Sequence, residues 1–138
     1  MSSKRLVETR KLTYPKDLCD PKDWLNFVQL DAFPRAWKRL GFGDLELRAL
    51  EIMIMMDPTR SPVIAGTGGL RKIRFARADE DTGKRGGARI CYTHFPDHGL
   101  VTLFTAYGKN QTDDLTTDQK KKIKKLIKEI EEYLSRGS

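Results

Sequence analysis

Histidine and cysteine are nearly absent from these 138 residues, with two of each. Cys19 and Cys91 match no zinc-ligand spacing, and two cysteines make no disulfide framework. Cys91 falls inside an alternating apolar run and reads as a small core residue rather than a nucleophile. His94 shares the side of Ile90 and Tyr92, which suits a structural role, and His98 falls in a turn and is expected to be exposed. No Ser-His-Asp or Cys-His set is legible. Long apolar runs are missing too: nothing in the first thirty residues suits a signal peptide, and no segment suits a bilayer span. A cytoplasmic protein with no membrane partner is expected. The acids Asp79, Glu80 and Asp81, and the pair Asp113 and Asp114, lack calcium-loop spacing and read as solvated loop residues, so no metal and no cofactor are expected. The glycines of GTGG (66–69) precede a strand and lack the Gly-Lys-Ser/Thr ending of a phosphate loop. They read as a tight turn that keeps the approach to the next strand open.

What the chain has is positive charge, unevenly spread. The net charge is +7, of which residues 66–112 hold eight basic and four acidic side chains, while residues 24–65 are balanced at five each. Concentration of charge in one region favours an anionic partner there.

The length fits one domain with a real core. Residues 1–23 are polar and basic with Pro15 and Pro21, and read as an N-terminal extension; residues 24–138 read as the folded domain. Trp24 to Leu30 suits a short strand. Phe33, Ala36, Trp37 and Leu40 recur at helical spacing up to Gly41 and Gly43. Asp44 is expected to cap a second helix with Leu47, Leu50, Met53 and Ile54 as its inward stripe and Pro58 beyond its end. Met53, Met55 and Met56 read as core filler. In Leu70 to Arg77, Ile73 and Phe75 point one way, and Lys72 and Arg74 the other. Residues 78–87 form a polar loop. Arg89, Cys91 and Thr93 then share one face of the next strand, and Ile90 and Tyr92 share the other. Pro96 to Gly99 makes a turn, and Leu100 to Tyr107 is apolar enough for a central strand. The last helix opens on a capping box of Thr116 and Gln119. It carries Ile123, Leu126, Ile127, Ile130, Tyr133 and Leu134 on one face. Its six lysines between Lys120 and Lys128 read first as a solvated face, with help in holding RNA as the second reading.

Lys72, Arg74 and Arg89 thus stand at strand spacing on what should be the open face of a sheet, and Lys109 follows the third long strand. Exposed strands commonly mix signs or use threonine and serine. A row that is cationic on adjacent strands points to phosphate, and RNA is the leading partner.

The segments GTGGLRKIRFAR, GKRGGARICY and TAYGKNQTDDLT resemble the RelE/HigB branch of bacterial toxins, over about residues 26–134 and most specifically over 66–117. That resemblance implies an α+β fold, a RelE-like small, mainly antiparallel sheet with two N-terminal helices and a C-terminal helix. It implies a toxin held silent by a cognate antitoxin protein, and an endoribonuclease that cuts mRNA on the ribosome without a metal. The RNA's own 2′-hydroxyl attacks the adjacent phosphate, leaving a 2′,3′-cyclic phosphate and a 5′-hydroxyl. Carried over by position, the catalytic set is Lys72, Arg74, Arg89 and Lys109. Arg71, Arg77, Lys84 and Tyr107 complete the expected substrate contacts. Some members carry a base-stacking tyrosine near the start of the last helix, where this chain has Leu115 and Thr116. Tyr107 is then the candidate, since Tyr92 falls on the core face.

The chemistry needs no histidine. The pentavalent phosphorane gains negative charge, and preorganised cations stabilise it more than the ground state. Arginine suits a bidentate grip on phosphate oxygens. A lysine among other cations gives up its proton more readily, which suits Lys72 or Lys109 to acid or base work. Two other functions share the same surface: a non-catalytic RNA- or ribosome-binding protein, and a gyrase-inhibiting toxin of the same fold. The four-cation set favours the nuclease over the gyrase toxin but does not separate it from the silent binder.

Overall fold

The computed structural model describes residues 24–76, 87–108 and 115–137. The N-terminal extension with Cys19, most of the 78–87 loop, Arg77, Lys84, Lys109 and the Asp113–Asp114 pair lie outside the described residues.

The architecture is α+β, the arrangement that the RelE/HigB resemblance implies. Four strands form one sheet in the order β1-β4-β3-β2, with β1 at Asn26–Gln29, β2 at Arg71–Phe75, β3 at Ala88–Phe95 and β4 at Leu100–Gly108. β1 runs parallel to β4, and the other two pairings are antiparallel. Helices α1 (Ala32–Arg39) and α2 (Asp44–Met56) follow β1, and α3 (Thr117–Gly137) closes the chain.

The period-two alternation sorts the sheet into two faces. Phe27, Ile73, Phe75, Ala88, Ile90, Tyr92, Val101, Leu103 and Ala106 pack against Phe33, Ala36 and Trp37 of α1 and Leu47, Leu50, Ile54 and Met55 of α2. Trp37 sits at the middle of this layer. Its ring lies 5.4 Å from Phe33, 4.6 Å from Phe42 and 5.6 Å from Phe75, centre to centre. Its Nε1–H donates to the Gly43 carbonyl at 3.1 Å, so the one polar atom of the indole is satisfied.

The cap of α2 lies one residue earlier than expected. Gly43, extended at φ −120°, is the capping residue. Its N–H donates to Glu46 Oε1 at 2.6 Å, while Asp44 stands in the first turn, where a carboxylate suits the positive end of the helix. Only Met55 of the three neighbouring methionines fills the core, and its sulfur accepts the Leu25 N–H at 3.3 Å. Met53 and Met56 face outward with Leu45, which is 85% exposed. The expected Met53 position is thus corrected by the helical period, which sets Met55 beside Ile54 and turns Met53 away.

The second face of the sheet is not the open one that the alternation suggests. α3 covers much of it. Ile127 is buried among Val28, Leu70, Cys91, Phe95, Leu100 and Phe104, with Ile123, Ile130 and Leu134 packed around it. Thr93 and Thr102, paired across β3 and β4, are each 1% exposed beneath this layer. Leu126 and Tyr133 stay on the rim of the helix, about two-fifths exposed. The capping box at the start of α3 forms reciprocally: Thr116 N–H donates to Gln119 Oε1 at 2.9 Å, and Gln119 N–H to Thr116 Oγ1 at 3.1 Å.

β4 serves both layers because its register shifts opposite Cys91 and Tyr92. Tyr92 pairs with Leu103 and Cys91 with Thr105, so Phe104 is the extra residue of a bulge. The shift sends Leu103 and Ala106 to the α1–α2 side and Phe104 to the α3 side. This accounts for a strand that is apolar almost throughout.

His94 and Tyr92 share the α1–α2 face. The Tyr92 hydroxyl donates to the Pro58 carbonyl at 2.8 Å, and burial raises its pKa above the ordinary value. His98, in the 3₁₀ turn before Gly99, is half-buried rather than exposed. Burial, and then the positive charge of Arg71, lower the pKa of His94 below the ordinary imidazole value. The folded protein therefore keeps His94 neutral at a pH where the unfolded chain, with a pKa of about 6.5, takes up a proton. Its contribution to stability is full above that value and is lost as pH falls toward the folded-state pKa. Denaturant unfolding between neutral and mildly acidic pH should show the wild type losing stability more steeply than His94→Gln. Parallel pH profiles for the two would overturn this.

Candidate nucleic-acid interface

Arg74 and Arg89 are direct cross-strand neighbours, Arg89 is in turn paired with Tyr107, and one step along the sheet Lys72 is paired with Cys91. All lie on the α3 side of the sheet, since alternation sends Ile73, Phe75, Ala88 and Ile90 to the other. Three strands thus carry a row of guanidinium, guanidinium and phenol, with an ammonium beside it. Arg74 is exposed, and Lys72, Arg89 and Tyr107 are half-buried. Like charges directly opposite on adjacent strands destabilise a sheet by roughly 0.2–1 kcal/mol. An arginine pair at that spacing suits an anion held between the two side chains. Tyr107 packs against the α3-side core, which anchors that end of the row.

Gly87 sets the geometry where β3 begins. Its φ is +82°, and a Cβ there would stand 2.5 Å from the Phe75 carbonyl oxygen. Only glycine lets the chain turn so close to the end of β2, two residues before Arg89. The Arg89 Nη1 reaches back to the Gly87 carbonyl at 3.5 Å, a long contact that favours one direction for the side chain.

The structure separates Arg71 from this row. Arg71 pairs with Tyr92 on the opposite face, and its Nη1 donates to the carbonyl oxygens of Thr59 and Ser61. It ties the loop after α2 to the sheet. The alternation that turns Ile73 and Phe75 inward applies equally to Arg71, so the signal was present in the sequence. Of the other expected site residues, Lys72, Arg74, Arg89 and Tyr107 are brought together, and Arg77, Lys84 and Lys109 lie outside the described residues. No protein-family model matches this chain.

The GTGG segment is a closed turn. Thr67 is fully buried, its hydroxyl donates to the Ile64 carbonyl at 2.7 Å, and it accepts the Leu70 N–H at 3.0 Å. Ile64 N–H returns to the Leu70 carbonyl at 2.8 Å. The open approach expected from sequence holds at Gly69, where a Cβ would meet nothing within 4 Å, but not at Gly66 and Gly68. Lys120 and Lys124 of α3 lie against Gly66 and Gly68. No local pattern announces this packing, because it joins segments more than fifty residues apart. Among the described residues, no three His, Cys, Asp or Glu side chains gather as metal ligands would, and no helix is long and apolar enough to cross a membrane.

Proposed function

We propose that this protein is a ribosome-dependent endoribonuclease acting on mRNA, the toxin of a toxin–antitoxin pair working in the cytoplasm. The observation that carries the reading is the cross-strand pair of Arg74 and Arg89, continued by Tyr107 and flanked by Lys72. Two guanidinium groups side by side suit the two non-bridging oxygens of a phosphodiester, each through charge-assisted hydrogen bonds. When the 2′-hydroxyl attacks, a P–O bond forms to the 2′-oxygen and the bond to the 5′-oxygen breaks. The proton of the 2′-hydroxyl passes to a base and another is delivered to the departing 5′-oxygen. The phosphorane between these events carries one more negative charge than the diester, so rigidly held cations favour it over the bound substrate. Lys72 beside the pair is the proton carrier among the described residues, with Lys109 the second candidate. Tyr107 supplies an aromatic face for a neighbouring base.

A protein of this kind needs a partner to silence it. The basic row suits an acidic antitoxin segment, and the outward Leu45, Met53 and Met56 of α2 offer apolar surface to a partner helix. The test is induced expression with mapping of mRNA 5′ ends. The expected result is growth arrest and new 5′-hydroxyl ends within translated codons, absent when the same RNA is incubated with the protein and no ribosomes. Arrest with intact mRNA would point instead to non-catalytic binding. Cleavage of naked RNA at the same sites would end the ribosome-dependent mechanism.

A further inference from the structure

The lysines of α3 are polarised along the helix and around it. All six lie before Glu129, with Asp118 the only acid in that half. Lys120, Lys124 and Lys128 follow one another at i, i+4 spacing, where like charges weaken a helix. This flank is the one turned to the GTGG loop. A Cβ on Gly66 would come within 3.3 Å of Lys120 Cδ, and one on Gly68 within 2.9 Å of Lys124 Cγ. Gly66 and Gly68 both have positive φ, and the absence of side chains there lets the two lysine stems lie down on the loop. The loop leads through Leu70, buried beneath α3, directly into β2 and Lys72. Lys72 stands four residues after Gly68, at most about 14 Å of chain. A self-repelling lysine row has therefore been set beside the cationic strand, not on the far side of the helix.

We propose that the Lys120–Lys124 flank of α3, with the Gly66–Gly69 loop beneath it, continues the basic surface of β2 and β3. It holds the phosphate backbone of single-stranded RNA on the Leu70 side of Lys72. The inference rests on the RNA-directed reading of the strand cations and extends that site along the strand. Lysine here is a point charge without the fork of arginine, so the grip is independent of base sequence and serves to keep the RNA in register. The polyanion also relieves the repulsion within the row.

Lys122 and Lys125 emerge away from this flank by the helical period and make the control. Fluorescence anisotropy of the full chain with a labelled oligouridylate, across a series of salt concentrations, reads the number of phosphates that the protein neutralises. On a single strand, each phosphate left without its cation lowers the slope of log affinity against log salt by about 0.7. Lys120→Gln/Lys124→Gln should therefore lower the slope by about 1.4, while Lys122→Gln/Lys125→Gln leaves it unchanged and both keep wild-type helicity. An equal fall in the control pair would mean diffuse charge and would overturn the inference. So would wild-type slopes in both pairs while Lys72→Ala and Arg74→Ala lower theirs, a result that leaves the proposed function standing. Failure of the wild type to bind would overturn the inference and leave the ribosome-dependent function to its own test.

Discussion

Under the proposed function, Arg74→Ala and Arg89→Ala are each expected to lower mRNA cleavage about a hundredfold, because one preorganised charge contact at a transition state is worth roughly 3 kcal/mol. The fold should survive both changes. Arg74 is exposed and Arg89 half-buried, and both leave the sheet on the side away from Ile73, Phe75 and Ile90, so neither truncation opens a cavity in the α1–α2 layer. Both changes are at positions outside the buried core, so stability should move by no more than about 1 kcal/mol. The signature is loss of activity without a matching loss of stability. It is measured as single-turnover cleavage on programmed ribosomes, with circular dichroism and denaturant unfolding as controls. Wild-type cleavage in both variants would remove the cross-strand pair from the mechanism. The two losses should not add in the double variant, since under the proposed mechanism the arginines grip one phosphate and act as a unit.

Trp37→Ala should have the largest effect on folding. The indole is 5% exposed, and its ring is in contact with Phe33, Phe42 and Phe75 at centre distances of 4.6–5.6 Å. Phe42 and Phe75 also meet edge to face, so removing Trp37 breaks a cluster whose members cannot close the gap by one rotamer change. Burial of so large a side chain leads to a loss of about 3–5 kcal/mol on truncation to alanine. Against a typical total of roughly 5–15 kcal/mol for a domain, that is enough to leave part of the population unfolded near 37 °C. The Gly43 carbonyl loses its indole donor as well, which loosens the junction where α2 starts. Urea unfolding should show a much lower midpoint with an unchanged slope. A loss below about 1 kcal/mol would mean that the aromatic cluster repacks, contrary to the close packing of such cores. Under the proposed function, cleavage by the folded fraction should be retained, because Trp37 lies across the sheet from the basic row.

Much of the candidate interface was legible because it depends on local pattern. Alternation along 71–75 and 88–95 is a property of extended chain, so the pairing of Lys72 with Arg74 on one side and Ile73 with Phe75 on the other needed no tertiary information. The same holds for the Thr116–Gln119 cap, since both partners lie within one turn. The apolar stripe of α3 was equally readable from its period, and the order of elements agreed with the α+β class that the resemblance implies. The tertiary structure decided what covers each face. Whether Cys91 and Thr93 meet solvent or a helix depends on where α3 lies, and that follows from the burial of Ile127 between strands distant in sequence. Register decided that Arg74 stands opposite Arg89, and the Phe104 bulge that one strand supplies two cores. Packing decided that Lys120 and Lys124 rest on the glycines before β2. Sequence determines what each segment can present on a side. Only the fold brings sides together, because contacts between distant segments are settled by the burial of the whole chain at once.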